Sequence, residues 1–172
     1  GWSTYSSAYA LDFANAEEGI EAYQVTGFSG TAITKEKITG TVAANTGLLV
    51  KGTASTSYTV PVVASGDDIS STNKMVAAVT GATVAAGTGT NVNYVLVNNG
   101  GNAEFQWING SGSYPTATLG ANKAYLALDG GPKPTGGARG LSLDGDDDVT
   151  AIKNIKVGTE DNVYYDLNGR RV

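Results

Sequence analysis

Short apolar runs alternate with clusters of turn residues along the whole chain. Leu48-Leu49-Val50, Tyr58-Thr59-Val60-Pro61-Val62-Val63, Val92-Asn93-Tyr94-Val95-Leu96-Val97 and Ala124-Tyr125-Leu126-Ala127-Leu128 are rich in β-branched and aromatic residues, the types that fit a pleated, half-buried surface. Between such runs lie Ser29-Gly30, Asn45-Thr46-Gly47, Ser65-Gly66-Asp67-Asp68, Asn98-Asn99-Gly100-Gly101, Asn109-Gly110, Asp129-Gly130-Gly131 and Asn168-Gly169. Asn, Asp and Gly tolerate the left-handed backbone that tight hairpins demand. Many short strands with turns at this spacing predict an all-β fold, an antiparallel β-sandwich of roughly ten or more strands.

One hairpin is legible in detail. Tyr94 and Leu96 alternate with Val95 and Val97, which predicts a strand buried on both faces. After the Asn/Gly turn, Phe105 and Trp107 share one face of the return strand, and Glu104, Gln106 and Ile108 the other. Ala14 to Ile20 fits a single helical turn, and Lys74 to Val79 fits a strand or a short helix equally well. Thr80 to Thr90 is rich in Gly, Ala and Thr and is expected to be a long mobile loop. A faint repeat matches Val42-Ala43-Ala44-Asn45-Thr46-Gly47-Leu48-Leu49-Val50 to Leu119-Gly120-Ala121-Asn122-Lys123-Ala124-Tyr125-Leu126-Ala127. It reads either as two related half-units or as the same turn chemistry used twice.

The prolines of Gly130 to Gly137 exclude a central strand there. Residues 1–143 are expected to form the sandwich, and 144–172 an acidic linker and a terminal hairpin. Val163-Tyr164-Tyr165-Asp166-Leu167 reads as a strand, Asn168-Gly169 as its turn, and Arg170-Arg171-Val172 as the start of a return strand. An unfinished hairpin, with neither an initiator Met nor a signal peptide ahead of Gly1-Trp2, is what a mature protein or a piece of a larger one would show.

Composition narrows the function classes. Charged residues make up only 16% and hydrophobic ones 41% of the 172 residues, with 24 Gly. Sparse straight-chain helix formers exclude a helical bundle and favour an extracellular β module. A net charge of −5 and a pI near 4.6 repel phosphate backbones, so nucleic acid is not an expected partner. No apolar run approaches the ~20 residues of a membrane-spanning helix, so membrane insertion is not expected either. With neither His nor Cys, Ser-His-Asp and Cys-His nucleophile systems and ordinary zinc sites are excluded.

Carboxylate chemistry remains. Glu36, Glu104 and Glu160 are candidates for the acid pair of a glycoside hydrolase, though no motif ties them together. Asp144, Asp146 and Asp148 imitate the start of a calcium loop, but Val149 stands where Gly is needed and Ile155 where Glu is needed. A solvated acidic turn is the favoured reading there, with no cofactor. A sugar-stacking platform would need exposed aromatics beside polar groups. Trp107 with Gln106, Asn109 and Tyr114 is the best local grouping, and Trp2 with Tyr5 and Tyr9 the next. The competing reading places Phe105 and Trp107 in the core. Asn109-Gly110-Ser111 also matches a glycosylation acceptor, and reads first as a turn.

Gly1-Trp2-Ser3-Thr4-Tyr5-Ser6-Ser7, Val42 to Gly52, Asn122-Lys123-Ala124-Tyr125-Leu126 and Val163 to Val172 follow one another along the chain. In this order they resemble the β-rich C-terminal region of secreted or surface-attached Bacteroidota proteins. Those proteins carry adhesin-like repeats, leucine-rich repeats or glycoside hydrolase domains, and the last segment is similar to the start of their C-terminal sorting signal. The resemblance implies a non-catalytic, extracellular or cell-surface accessory module and supplies no catalytic residues. Its expected partners are polysaccharides, host or cell-surface glycans, or neighbouring modules. The expected role is adhesion or carbohydrate binding. The alternative is a structural spacer or filament subunit that assembles by strand pairing, and a carboxylate hydrolase stands third.

Overall fold

The computed structural model describes residues 1–112, 114–133 and 140–143, and the backbone of 154–158. The first half of the chain makes β1 (Trp2–Tyr5), β2 (Ala10–Asp12), β3 (Glu21–Ser29), β4 (Ala32–Ile38), β5 (Thr41–Val42), β6 (Leu48–Lys51) and β7 (Ser57–Val63). The second makes β8 (Met75–Ala78), β9 (Ala82–Ala85), β10 (Asn91–Asn99), β11 (Asn102–Trp107), β12 (Thr116–Leu119) and β13 (Lys123–Asp129), followed by β14 (Gly140–Ser142) and β15 (Asn154–Gly158). The fold is all-β, with no helix among the described residues.

Nine strands form one large sheet in the order β1-β6-β3-β4-β14-β11-β10-β13-β8. Each turns at least one side chain into a common interior. In the same order these are Trp2, Leu49, Val25, Ile33, Leu141, Phe105, Tyr94, Leu126 and Met75, all buried. A sheet whose nine strands all reach one core must wrap around it, and its ends do meet. The Ser6 N–H donates to the Asn122 carbonyl at 3.1 Å. The Ala124 N–H donates to Thr4 Oγ1 at 3.2 Å. A Cβ on Gly47 would stand 2.9 Å from the Val76 carbonyl carbon, so only glycine lets β6 approach β8 this closely.

Two small sheets cover parts of the outer surface, giving the expected packing of sheet on sheet. The β15-β7-β2-β5 sheet encloses Leu11, Val42, Tyr58 and Val60 against Tyr5, Ala22, Leu48 and Val50 of the large sheet. The β9–β12 pair encloses Val84, Ala117 and Leu119 against Val95, Ile108 and Tyr125. Apolar residues on both faces of β6 and β10 therefore serve two cores at once, which is why those runs are continuous rather than alternating.

The half-unit reading of the repeat gains its physical basis here. Adding seven to the numbers of the first six strands reproduces their pairings in the second half, while β7 and β14 pair differently. β1–β6 becomes β8–β13, β6–β3 becomes β13–β10, β3–β4 becomes β10–β11, and β2–β5 becomes β9–β12. The repeated segment is β5–turn–β6 in one half and β12–turn–β13 in the other. Its two asparagines have positive φ, 61° at Asn45 and 58° at Asn122.

Several expectations need correction. Thr80 to Thr90 is not all loop, because Ala82–Ala85 forms β9. Only Val84 of that strand is buried, so it carried almost no hydrophobic signal. Lys74 to Val79 resolves as strand β8, and Ala14 to Ile20 makes bends and a turn rather than a helical turn. Two contacts are parallel rather than antiparallel, β14 with β4 and β15 with β7. Beyond residue 143, β15 pairs with β7 over five residues. The Asp144–Asp148 run, Glu160 and the hairpin from Val163 to Val172 lie outside the described residues.

Candidate functional site

Strand alternation separates the grouping around Trp107. Phe105 is buried in the main core, and Trp107 packs against that core and is half-buried. Gln106 is buried and points to the outer face, where Ile108 enters the satellite core. Asn109 is exposed, but its Oδ1 accepts the Ser111 N–H at 2.9 Å and its own N–H donates to the Tyr114 carbonyl at 3.2 Å. The four residues therefore form a strand and a turn, with Trp107 and Gln106 on opposite faces.

The Trp2 grouping is divided as well. Trp2 and Tyr5 are 2% exposed, whereas Tyr9 is 48% exposed. Trp2 fills one end of the main core. Its ring centroid is 5.3 Å from that of Tyr23, and the Lys35 and Lys51 ammonium groups each stand 5.3 Å from it. Cation–π contacts of this kind contribute about 0.5–1 kcal/mol or more. Lys35 also donates to the Leu143 carbonyl at 2.7 Å. The Trp2 indole N–H is buried without a hydrogen-bond partner among the described residues, a state that costs on the order of 1–3 kcal/mol. Of the carboxylates, Glu36 accepts from Gln24 at 2.9 Å and Glu104 from Asn99 at 2.9 Å, both exposed bonds on their own hairpins.

Closure of the sheet creates two cavities that sequence reasoning did not anticipate. Each lies where the repeated turn of one half meets the first strand of the other. The first, about 510 Å³, lies between Ala43–Gly47 and β8, with Asp68, Ser70 and Asn73 on its rim. The Asp68 carboxylate accepts the Ser70 N–H at 2.9 Å. That bond, with a further one from the Ser70 side chain, holds its pKa below the ordinary range. The second, about 320 Å³, lies between β1 and the start of β13. Trp2, Leu96, Val97 and Leu119 give it apolar walls, while Ser3, Thr118 and Lys123 bring polar groups.

No family model, curated protein or solved structure matches this chain.

Lys123 dominates the second cavity. It is the first residue of β13, and its ammonium reaches Ser3 Oγ at 3.4 Å across 120 positions of sequence. Burial pushes its pKa down from the ordinary lysine value, because desolvation disfavours the charged form. Among the described residues no carboxylate lies at ion-pair distance from it, and the ion pair found there is Lys37 with Glu21. The repeat offers the single sequence signal for this site, since Lys123 stands where the first half carries Thr46.

Proposed function

We propose that this chain is a non-catalytic accessory module of a larger secreted or surface-attached protein, working outside the cell, which binds a saccharide in the cavity beside β1 and Lys123. The mixed lining of that cavity carries the reading. Sugar rings present C–H faces and a rim of hydroxyls. Leu96, Val97 and Leu119 suit the faces, and the hydroxyls of Ser3 and Thr118 with the Lys123 ammonium suit the rim. A volume of about 320 Å³ falls at the lower end of small-ligand sites. Retention of the protein on a panel of plant, host and microbial polysaccharides tests this. Gly120→Trp should abolish retention, since a Cβ there meets nothing within 4 Å and a large ring would occupy the mouth. Retention unchanged by that substitution, or no retention on any polysaccharide, would overturn the reading.

A second reading, a spacer or filament subunit, draws on β15. Five residues of that strand pair in parallel with β7 on the edge of a small sheet, the geometry by which a strand from a neighbouring chain would add. Concentration-dependent oligomers that disappear when residues 154–158 are deleted would favour it.

A further inference from the structure

We propose that the saccharide taken by this cavity is acidic, a hexuronate-type unit whose carboxylate seats on Lys123; this rests on the saccharide reading above. Even a half-buried ammonium is costly unless an anion or several acceptors compensate it. Lys123 has one long bond to Ser3 Oγ and no carboxylate at ion-pair distance among the described residues, although the chain carries 16 Asp and Glu. Trp2 lines the same cavity, with its indole N–H buried inside the core. An ammonium short of acceptors at a cavity calls for a ligand rich in acceptor oxygens, and a carboxylate is the strongest such group. The sister cavity supports the distinction, because it has no lysine and carries the Asp68 carboxylate instead.

Trp2 and Trp107 are the two tryptophans of the chain, so Trp107→Phe leaves Trp2 as the reporter of this cavity. That variant would be titrated with oligosaccharides containing glucuronate, galacturonate or mannuronate, with their methyl esters, with neutral oligosaccharides and with an acidic tripeptide. The expected result is a Trp2 emission change with at least one uronate. Its methyl ester should bind about tenfold or more weaker, the loss expected for a charge-assisted hydrogen bond. Lys123→Met should abolish the preference for the acid, and Lys123→Arg should keep it, with thermal melts confirming that both fold. Equal binding of acid and ester, unchanged by Lys123→Met, would overturn the carboxylate proposal and leave the saccharide reading standing. Binding of no saccharide would remove both. An acidic tripeptide binding as well as the uronate would overturn the assignment to a sugar.

Discussion

The two halves of the large sheet share one ladder and fill it differently. The β3–β4 hairpin sets Lys35 opposite Val25 and Lys37 opposite Tyr23, while the β10–β11 hairpin sets Phe105 opposite Leu96 and Trp107 opposite Tyr94. Tyr23 and Tyr94 face Leu49 and Leu126 respectively. Lys35 and Lys37 thus hold the places of Phe105 and Trp107. The second half fills its share of the interior with aromatics from its own hairpin. The first half borrows one from β1, where Trp2 lies beneath Lys35 and Lys51. The matching position before β8 is Asn73, which donates to the Gly47 carbonyl at 2.7 Å and accepts the Val25 N–H at 3.3 Å. Backbone pairing sets the shape of the wall, and several side-chain solutions fill it. The same asymmetry extends to the seam cavities, one with a carboxylate and one with an ammonium.

The largest expected effect comes from the position that differs most. Phe105→Ala empties a fully buried site at the centre of the nine-strand core and should cost about 3–5 kcal/mol in urea unfolding. Lys35→Ala, at the equivalent place, loses its contact with Trp2 and its bond to the Leu143 carbonyl and should cost about 1 kcal/mol. Equal costs would show that both halves depend on that position alike.

The repeated turns should behave as equals. Asn45 and Asn122 both have left-handed backbone, with φ of 61° and 58°. Alanine at either should destabilise by about 1–2 kcal/mol, and glycine should recover most of the loss. Thermal melts of the four variants would check this. A penalty at one asparagine alone would break the equivalence of the halves.

The smallest effect lies at the Lys37–Trp107 pair of positions. The Lys37 ammonium bonds to Glu21, which also accepts from Tyr23 Oη at 2.7 Å. These bonds hold the Glu21 pKa below its ordinary value, Lys37 first and then Tyr23. A depressed folded pKa contributes stability at neutral pH, above the unfolded value, and loses it as pH falls through the folded one. Lys37 is 49% exposed, so Lys37→Met should cost less than about 1 kcal/mol near pH 7. The gap from wild type should close as pH falls below the ordinary glutamate range. Trp107→Met should show no such closing gap, because no carboxylate is bound at that place among the described residues. Denaturant midpoints across this pH range would decide it.

Turn chemistry and alternation were legible because both are local. Gly30, Asn45, Gly100, Gly110 and Gly130 all adopt positive φ at turns marked by their dipeptides. The β10–β11 hairpin pairs with Phe105 and Trp107 on the inward face and Gln106 on the outward one. The repeat was visible as a short match between Val42–Val50 and Leu119–Ala127, and structurally those segments occupy equivalent strands. Strand β9 escaped notice because small residues on an outer ladder leave little hydrophobic imprint, and its stability comes from pairing with β12.

By itself, then, the sequence determined the all-β class, the placement of most turns, the alternation along its best hairpin and the absence of histidine and cysteine chemistry. Those properties belong to single residues and to neighbours within a few positions. The burial of Trp2, the division of the Trp107 grouping between two faces, and the meeting of Lys123 with Ser3 were decided only when the sheet closed. Closure brings together residues as much as 120 positions apart, and no local pattern encodes which strand edges will meet. The cavities at the seam exist only because two half-sheets, each ending in an Asn turn, lock against one another's first strand.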